Sequence, residues 1–404
     1  MIYLDNAATS FPKPSEVYRE MDEFFRLRAA NPGRAGYRLS LGAEREIERA
    51  RKVLTGHFGA REPQRLVFTL NATDAINMAI KGLINPGDHV ITTTLEHNAV
   101  TRPLNSLEGQ GVITITRVRP SPQGFLDPDD IKRSITPKTR LIALVHASNV
   151  LGVIQPIRDI GRLVRERDLL LLVDAAQSAG LWPIDVEGQY IDLLAFTGHK
   201  SLFGPPGTGG LYVGERAEPR PWWVGGTGVD SQNPVQPLDM PFRLEGGTPN
   251  FVGLVGLRAG VEFVSRTGID KIRRHGQALI SQLLHALGGD DRFVLYGPPP
   301  DTENRSPILS LNVKGMEPQV VGAILDESFG IAVRSGLHCA PGTHREIGSL
   351  PQGTVRISPG FFNTGDDIAQ VALALKEIAS SCEIRNAEFG MRNPHSAIRT
   401  PQSE

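Results

Sequence analysis

Residues 65–213 of this chain alternate short apolar runs with longer amphipathic stretches, and this pattern limits the fold more than any other feature. Several runs are apolar throughout, which is typical of strands covered by helices on both faces. Such alternation predicts an α/β fold on a mostly parallel sheet flanked by helices. The predicted sheet has seven strands: 65–70, 89–93, 112–116, 140–146, 169–174, 191–196 and 210–213.

Helix-length segments lie between and around these strands. Residues 222–250, rich in Gly, Pro and Gln, predict a long ordered loop. The part after this loop has a mixed α+β pattern. The predicted helices are 15–28, 41–58, 73–83, 157–167, the region 251–287, 317–328 and 365–380, and the later strands are 292–296, 307–313, 331–334 and 354–357.

The length of 404 residues predicts two to three domains at about 150 residues each. We predict a large α/β domain over 15–255. A smaller α+β domain combines 1–14 with 256–384. Residues 385–404 form a polar, aperiodic tail that we expect to be poorly ordered.

Composition excludes several classes of protein. The 43 Lys and Arg balance 44 Asp and Glu, so the basic excess of a nucleic-acid binder is missing. No signal peptide is recognisable, and the longest aliphatic run, 169–173, is far shorter than the roughly 20 residues that cross a bilayer. Two cysteines are too few for a disulfide framework or a Cys-rich zinc site, so no metal is expected. We therefore expect a cytoplasmic enzyme.

Two charged residues stand at neighbouring strand ends, where ligands of parallel sheets bind. Asp174 ends an apolar run, and Lys200 follows the next strand in the stretch TGHKS. Asp174 alone is equally well explained as a helix N-cap, and a single lysine as a solvated surface residue. Together they fit pyridoxal phosphate (PLP): the lysine forms a Schiff base, and the carboxylate keeps the pyridine nitrogen protonated.

Other strand ends carry groups that suit the same cofactor. Ala72 and Thr73 open a helix, whose N-terminus attracts a phosphate. His97 follows another strand and is able to stack on a pyridine ring, while Asn149 follows a fourth. Each of these residues alone is more simply a cap or turn residue. The glycine-rich segment 204–210 lacks the Lys-Ser/Thr of a phosphate loop, which favours a strained turn between two strands.

At this point the motifs resemble a known family. The chain is similar to the class V, fold-type I PLP enzymes, and within them to SUF-type (group II) cysteine desulfurases, from residue 2 to about 379. The motifs, in the family's order, are LDNAAT (4–9), NATDAIN, LEHNAV, HASNVLG, VDAAQS, TGHKSL, GGTPN and RSGLHCAP (334–341).

The resemblance implies a role for each matching residue. Lys200 is the Schiff-base lysine, Asp174 pairs with the pyridine nitrogen, and His97 stacks on the ring. The other implied contacts are Gln177 with the phenolic oxygen, Ala72, Thr73, Thr197 and His199 with the phosphate, Thr248 with the phosphate of a second subunit, and Asn149, Arg356 and Arg334 with the substrate. The reach of Thr248 into another subunit implies a homodimer.

The two cysteines are predicted to differ. Cys339 lies in an aperiodic loop, and His338 and Arg334 beside it are expected to favour its thiolate, the reactive form. A buried, inert thiol is the alternative for Cys339, and for Cys382 we expect either a buried small side chain or simple surface placement. Leu337 departs from the family, which has a histidine in that place.

The predicted reaction is desulfuration of L-cysteine to L-alanine, with sulfur held on Cys339 as a persulfide and passed to an acceptor protein. One alternative is a selenocysteine lyase acting on L-selenocysteine, or another class V lyase or aminotransferase. Another is a non-catalytic α/β protein that binds a phosphorylated ligand and uses Cys339 only in a sulfur-relay contact.

Overall fold

A computed structural model describes residues 1–33, 36–229 and 231–388 of the chain. Its strands are β1 (Ile2–Tyr3), β2 (Leu66–Thr69), β3 (His89–Thr93), β4 (Thr114–Val118), β5 (Thr139–Val145), β6 (Leu170–Asp174), β7 (Leu193–Thr197), β8 (Gly209–Val213), β9 (Phe293–Tyr296), β10 (Leu309–Val313), β11 (Ile331–Ala332), β12 (Arg334–Gly336) and β13 (Thr354–Ile357).

The helices surround two larger sheets. They are α1 (Ser15–Leu27), α2 (Arg38–His57), α3 (Ala72–Leu83), α4 (Asn98–Gly109), α5 (Pro128–Arg133), α6 (Ile157–Glu166), α7 (Phe251–Thr267), α8 (Ile269–Leu287), α9 (Pro318–Phe329), α10 (Pro341–Glu346) and α11 (Gly365–Glu388). Three of them, α4, α5 and α10, are absent from the sequence prediction.

The larger sheet has seven strands in the described part of the chain, in the order β2-β8-β7-β6-β5-β3-β4. Only β8 among them runs antiparallel to its neighbours, β2 and β7. The predicted α/β fold with a mostly parallel seven-stranded sheet is therefore confirmed, and each strand lies within two residues of its predicted bounds. All residues of β6, β7 and β8 are buried, as their continuous apolar sequence requires.

Side chains of the central strands alternate between two cores. In β6, Leu171 and Val173 pack into the layer that contains α2 and α6, while Leu170 and Leu172 pack into the layer that contains α3. This period of two places helices on both faces of the sheet. The ends of the strands then carry the polar residues, outside the apolar layers.

A smaller antiparallel sheet has the order β12-β13-β10-β9 and shares a core with α8, α9 and α11. β1 pairs with β11 in parallel, which brings the N-terminus to this half of the molecule. The predicted boundary near 255 falls inside α7, whose Leu254 and Leu257 belong to the core of the larger sheet. The division into 15–255 and 1–14 with 256–384 stays a prediction.

Several connecting segments also match expectation. The described residues of 222–250 contain neither helix nor strand. Residues 204–208 lie in the connection between β7 and β8, with Gly207 at φ 76°, and Gly209 and Gly210 begin β8. α11 extends to Glu388, so the predicted tail begins inside a helix, and 389–404 lie outside the described residues. In the part of the chain that the structure describes, no helix is both long and apolar enough to span a bilayer.

Candidate active site

The parallel strands β6 and β7 end at Asp174 and Thr197, and Asp174 is the register partner of Ala195. Asp174 is 4% exposed, and its Oδ1 accepts a hydrogen bond of 2.9 Å from the amide of Ala176. Burial raises the pKa of Asp174, while this hydrogen bond and the charge of Lys200 act in the opposite direction. A buried carboxylate at a strand end therefore faces the lysine that the sequence predicted as its companion.

Lys200 follows β7 by three residues and is half-buried. Among the described residues, no group accepts a hydrogen bond from its Nζ. Burial, helped by Arg356 and Arg334 and opposed by Asp174, lowers the pKa of Lys200 to about 8. At neutral to mildly alkaline pH a sizeable fraction of this amine is uncharged, which is the nucleophilic form.

The N-terminal segment fixes the backbone next to Lys200. The carbonyl of His199 accepts hydrogen bonds from Thr9 Oγ1 and the Ser10 amide, each at 3.0 Å, and from Lys13 Nζ at 3.2 Å. Thr9 of the LDNAAT motif thus binds the backbone carbonyl of His199, the residue directly before Lys200. Sequence reasoning matched this motif to the family without finding that contact.

His97 is the N-cap of α4, and its Nδ1 accepts a hydrogen bond of 3.0 Å from the Ala99 amide. Burial and then the charge of Lys200 lower the pKa of His97 to about 4. The imidazole is therefore neutral, with its proton on Nε2 because Nδ1 is an acceptor. A neutral, flat ring in this position suits stacking better than a charged one.

The first turn of α3 has backbone amides that are left without partners in the described chain. Asn71 caps the helix by accepting from the Asp74 amide at 3.0 Å, so the amides of Ala72 and Thr73 keep no partner among the described residues. Thr197 Oγ1 is buried and also without a partner there. Free amides and an unsatisfied hydroxyl near a helix N-terminus fit a phosphate. Thr248 is exposed on the surface.

Arg356, in β13, is 2% exposed and held from two sides. Its Nη2 donates to Asp5 Oδ1 at 2.8 Å, and its Nη1 donates to the carbonyl of Asn149 at 3.1 Å. Its Nε is buried without a partner in the described chain. A fixed guanidinium with an unused donor is suited to bind a carboxylate. Arg334 is its register partner on β12.

Two side-chain amides, those of Asn149 and Gln177, each donate a hydrogen bond to a backbone carbonyl. Asn149 Nδ2 donates to the carbonyl of His338 at 2.6 Å, and its buried Oδ1 has no partner among the described residues. Gln177 Nε2 donates to the carbonyl of Ala7 at 2.9 Å. Each amide has a second N–H left for a ligand.

Cys339 lies in a tight loop and is exposed, between buried His338 and buried Ala340. Both His338 and Cys339 have left-handed backbone conformations, with φ of 48° and 58°. Such conformations are costly for residues other than glycine, and they persist only where the surroundings hold them. The Asn98 amide does so by donating to the carbonyl of Cys339 at 2.8 Å. The backbone of Cys339 therefore lies next to the segment that carries His97.

The expectation that His338 favours the Cys339 thiolate is wrong. Its ring is buried, and Nε2 lies 3.1 Å from the carbonyl of Thr354, to which it donates. Burial, strengthened by Arg356, lowers the pKa of His338 to about 2, so the ring is neutral and supplies no positive charge. Arg356 interacts electrostatically with Cys339.

Sequence reasoning missed three residues of this region: Asp5, Thr354 and Glu96. Asp5 lies in a quoted motif but had no role, and nothing in the sequence singles out Thr354. Glu96 is fully buried, and its Oε1 accepts from Thr93 Oγ1 at 2.6 Å and from the Val145 amide at 3.1 Å. Burial, with a small contribution from Asp174, raises the pKa of Glu96 to about 8.

Cys382 differs from Cys339 in exposure and in secondary structure, because it is buried and lies in a helix. It is 6% exposed in α11, and its thiol points toward the carbonyl of Gly315 at 3.6 Å. Of the two placements expected for Cys382, the buried small side chain is confirmed.

Comparison with known proteins gives one consistent answer. The family model "Aminotransferase class-V" matches residues 2–371. The chain is 38% identical to a probable cysteine desulfurase of Methanothermobacter thermautotrophicus, over 94% of each sequence, and 33% identical to a cysteine desulfurase of Shigella sonnei, over 94% and 93%. Among solved structures, the apo cysteine desulfurase of Thermococcus onnurineus superposes with a TM-score of 0.88 at 33% identity, over 94% and 95% of the chains.

Proposed function

The chain belongs to the class V aminotransferase family, and from this premise we propose that it is a PLP-dependent cysteine desulfurase. The reaction is the conversion of L-cysteine to L-alanine with transfer of the sulfur to Cys339. The observation that supports the proposal is an exposed loop cysteine, Cys339, whose loop is bonded to Asn98 and Asn149, in a chain where buried Asp174 acts electrostatically on Lys200.

The residues present fit PLP. Lys200 would hold the cofactor covalently through Nζ, Asp174 would pair with the pyridine nitrogen, and neutral His97 would cover one face of the ring. Gln177 would use its remaining N–H for the phenolic oxygen. The phosphate would take the groups that lack partners in the described chain, together with a neighbour: Ala72, Thr73, Thr197 and His199. When bound, PLP supplies an electron sink for the substrate carbon atoms.

Arg356 and Asn149 would bind the substrate carboxylate. The guanidinium is oriented by Asp5 and by the Asn149 carbonyl, so little conformational freedom is lost when a carboxylate arrives. Arg334 adds positive charge from the neighbouring strand. This arrangement selects an α-amino acid whose amino group points toward Lys200.

Lys200 is suited to move the proton of the substrate Cα. Its pKa of about 8 leaves part of the amine uncharged near neutral pH, and the protonated form is stabilised by Asp174 and Asp5. An amine tuned in this way both accepts and returns a proton under the same conditions.

Cys339 would accept the sulfur. Its Sγ attacks the sulfur of the substrate, an S–S bond forms, and the bond between Cβ and sulfur breaks. The electron pair of the broken bond stays with the substrate carbon, where protonation completes alanine. The persulfide on Cys339 is then passed to an acceptor, and the exposure of Cys339 gives that acceptor access.

We also propose a homodimer. Thr248 is exposed, so within one chain it does not contribute to the phosphate site. Large apolar side chains are exposed on the segment before it and at the end of β2: Leu70, Trp223, Val224, Val235 and Leu238. In a dimer, a second subunit would cover these side chains, and Thr248 of the first subunit would then contact the PLP phosphate bound by the second.

The direct test is an assay of alanine and persulfide with L-cysteine. Cys339→Ser is expected to keep the visible absorbance of bound PLP and to lose persulfide formation. Cys382→Ser is the matched control, since the same change at a buried thiol outside the site is expected to leave the reaction intact. Normal persulfide transfer by Cys339→Ser would sink the assignment. L-Selenocysteine in parallel tests the lyase alternative.

A further inference from the structure

The segment that carries Thr248 is anchored on both sides. Glu245 precedes Thr248 by three residues, and Asn250 follows it by two. Asn250 Oδ1 accepts from the Gly253 amide at 3.0 Å as the cap of α7, and its Nδ2 donates to the Gly207 carbonyl at 3.0 Å. The downstream anchor is therefore the turn between β7 and β8.

The upstream anchor is a bidentate ion pair. Arg51 Nη1 lies 2.8 Å from Glu245 Oε1, and Arg51 Nη2 lies 3.1 Å from Glu245 Oε2. The Phe68 amide also donates to Glu245 Oε1, at 2.7 Å. Arg51 is 2% exposed, and its guanidinium lies over the Phe68 ring at 4.6 Å. Paired and planar contacts of this kind fix geometry as well as charge.

Glu245 accepts its backbone hydrogen bond from β2. In the same chain, β2 is followed by α3, whose N-terminus is the proposed phosphate site. Phe68 lies in β2, and α3 begins at Ala72, a few residues later. Glu245 is thus held by Arg51 of α2 and by the Phe68 amide of β2, and it belongs to the surface segment that leads to exposed Thr248. The proposed reaction itself uses neither Arg51 nor Glu245.

We propose that Glu245, held by Arg51, is a positioning residue for Thr248 and thereby sets the PLP affinity of the second subunit. This inference rests on the proposed homodimer and cofactor. Because Thr248 acts across the interface, loss of the pair weakens the partner's site and leaves the site of the altered chain unaffected.

The PLP site of the altered chain and the PLP site of its partner can be measured separately in dimers that combine two different variants. Two differently tagged chains are co-expressed and purified on both tags, and one of them carries Lys200→Ala, so that only one lysine per dimer can be trapped with PLP by borohydride. Glu245→Gln is placed either on the Lys200→Ala chain or on the chain with the intact lysine. The amount of PLP trapped at Lys200 is measured against PLP concentration.

The expected result is asymmetric. Glu245→Gln on the Lys200→Ala chain weakens PLP binding at the intact lysine about tenfold, the size of one lost hydrogen bond to a charged group. On the chain with the intact lysine it changes nothing. Glu48 still pairs with Arg51 Nε at 3.1 Å, so we expect the variant to fold.

Asp192→Asn is the matched control, because Asp192 likewise pairs with an arginine, Arg216, and accepts from a strand amide, that of Leu171. We expect no asymmetry in this variant. Equal weakening in both arrangements of Glu245→Gln, or no weakening in either, overturns the inference. Failure of the proposed function has a different signature: the wild-type chain then neither binds PLP nor releases alanine.

Discussion

The two halves of the site are held by different kinds of contact. In the cofactor half, Asp174 and Thr197 end fully buried strands of one sheet. In the acceptor half, Cys339 lies in a loop with two successive left-handed residues, held by Asn149 and by the backbone of Asn98. The first half is rigid because the sheet is rigid, whereas the second depends on a few individual hydrogen bonds. Substitutions that affect one half should therefore leave measurable properties of the other intact.

The largest effect is expected for Lys200→Ala. The variant loses both the covalent attachment of PLP and the group that moves the Cα proton, so turnover should fall by roughly 10³-fold or more. When both proteins are free of cofactor, the midpoint of thermal unfolding of the variant should not fall below that of the wild type, because Nζ has no hydrogen-bond partner among the described residues. Alanine release and thermal unfolding are the two measurements.

The acceptor half provides the control for this variant. Alkylation of Cys339 by iodoacetamide in Lys200→Ala should proceed at the rate of the cofactor-free wild type. A changed alkylation rate would show that the cysteine loop depends on Lys200, against the separation of the two halves.

The second prediction concerns Asn149→Ala. The loop loses the 2.6 Å hydrogen bond to the His338 carbonyl, which positions the residue before Cys339. A displacement of about 1 Å of a reacting atom costs on the order of 100-fold, so kcat should fall by that factor while PLP affinity stays the same. Steady-state kinetics and a PLP titration measure the two quantities.

Asn312→Ala is a suitable comparison for Asn149→Ala. Asn312 also donates to a backbone carbonyl, that of Gly353 at 3.1 Å, but within the smaller sheet. The kcat of Asn312→Ala should therefore remain near the wild-type value. If Asn149→Ala raises only the KM for cysteine, Asn149 binds the carboxylate and does not hold the loop.

The contrast between the strands of the sheet and the loop of Cys339 also explains which features could be predicted from the sequence. Apolar runs that alternate with amphipathic stretches predicted the seven strands, and they also predicted that Asp174 and Lys200 lie at or just after the ends of two of them. Helix α4 was missed because Asn98–Gly109 contains Pro103 and many polar residues. In the cysteine loop, the conformation depends on contacts between residues distant in sequence, such as Asn149 with His338. No local pattern encodes those contacts, and the neutral state of His338 follows only from its burial.

The third prediction tests that neutral state. His338→Asn keeps a residue type that tolerates a left-handed conformation. Since the pKa of His338 is about 2, the ring carries no charge between pH 5 and 9, and the pH dependence of Cys339 alkylation should be the same as in wild type. Arg356→Gln removes a nearby cation and should slow alkylation at neutral pH. A slower reaction in His338→Asn alone would restore the role expected from the sequence.

The smallest effect on turnover is expected for Glu96→Gln, in the cofactor half. Glu96 is fully buried, and burial raises its pKa to about 8 from an ordinary value of 4.5. Between these two pH values the folded chain keeps a proton that the unfolded chain loses, so this carboxyl makes the protein less stable as pH rises. Glutamine keeps the oxygen that accepts from Thr93 and Val145 and does not titrate.

Denaturant unfolding at several pH values measures this difference. The free energy of unfolding of Glu96→Gln, relative to wild type, should rise from pH 5 to pH 8 and become constant above it, with a slope of at most about 1.4 kcal/mol per pH unit. Turnover at pH 7 should change little, because the wild-type side chain is already neutral there. A relative stability that does not vary with pH would mean that Glu96 is ionised in the folded protein. Two buried carboxylates, Glu96 and Asp174, would then have to be balanced by the cations of the site, Lys200, Arg334 and Arg356, and the rigidity ascribed to the cofactor half would depend on those charges.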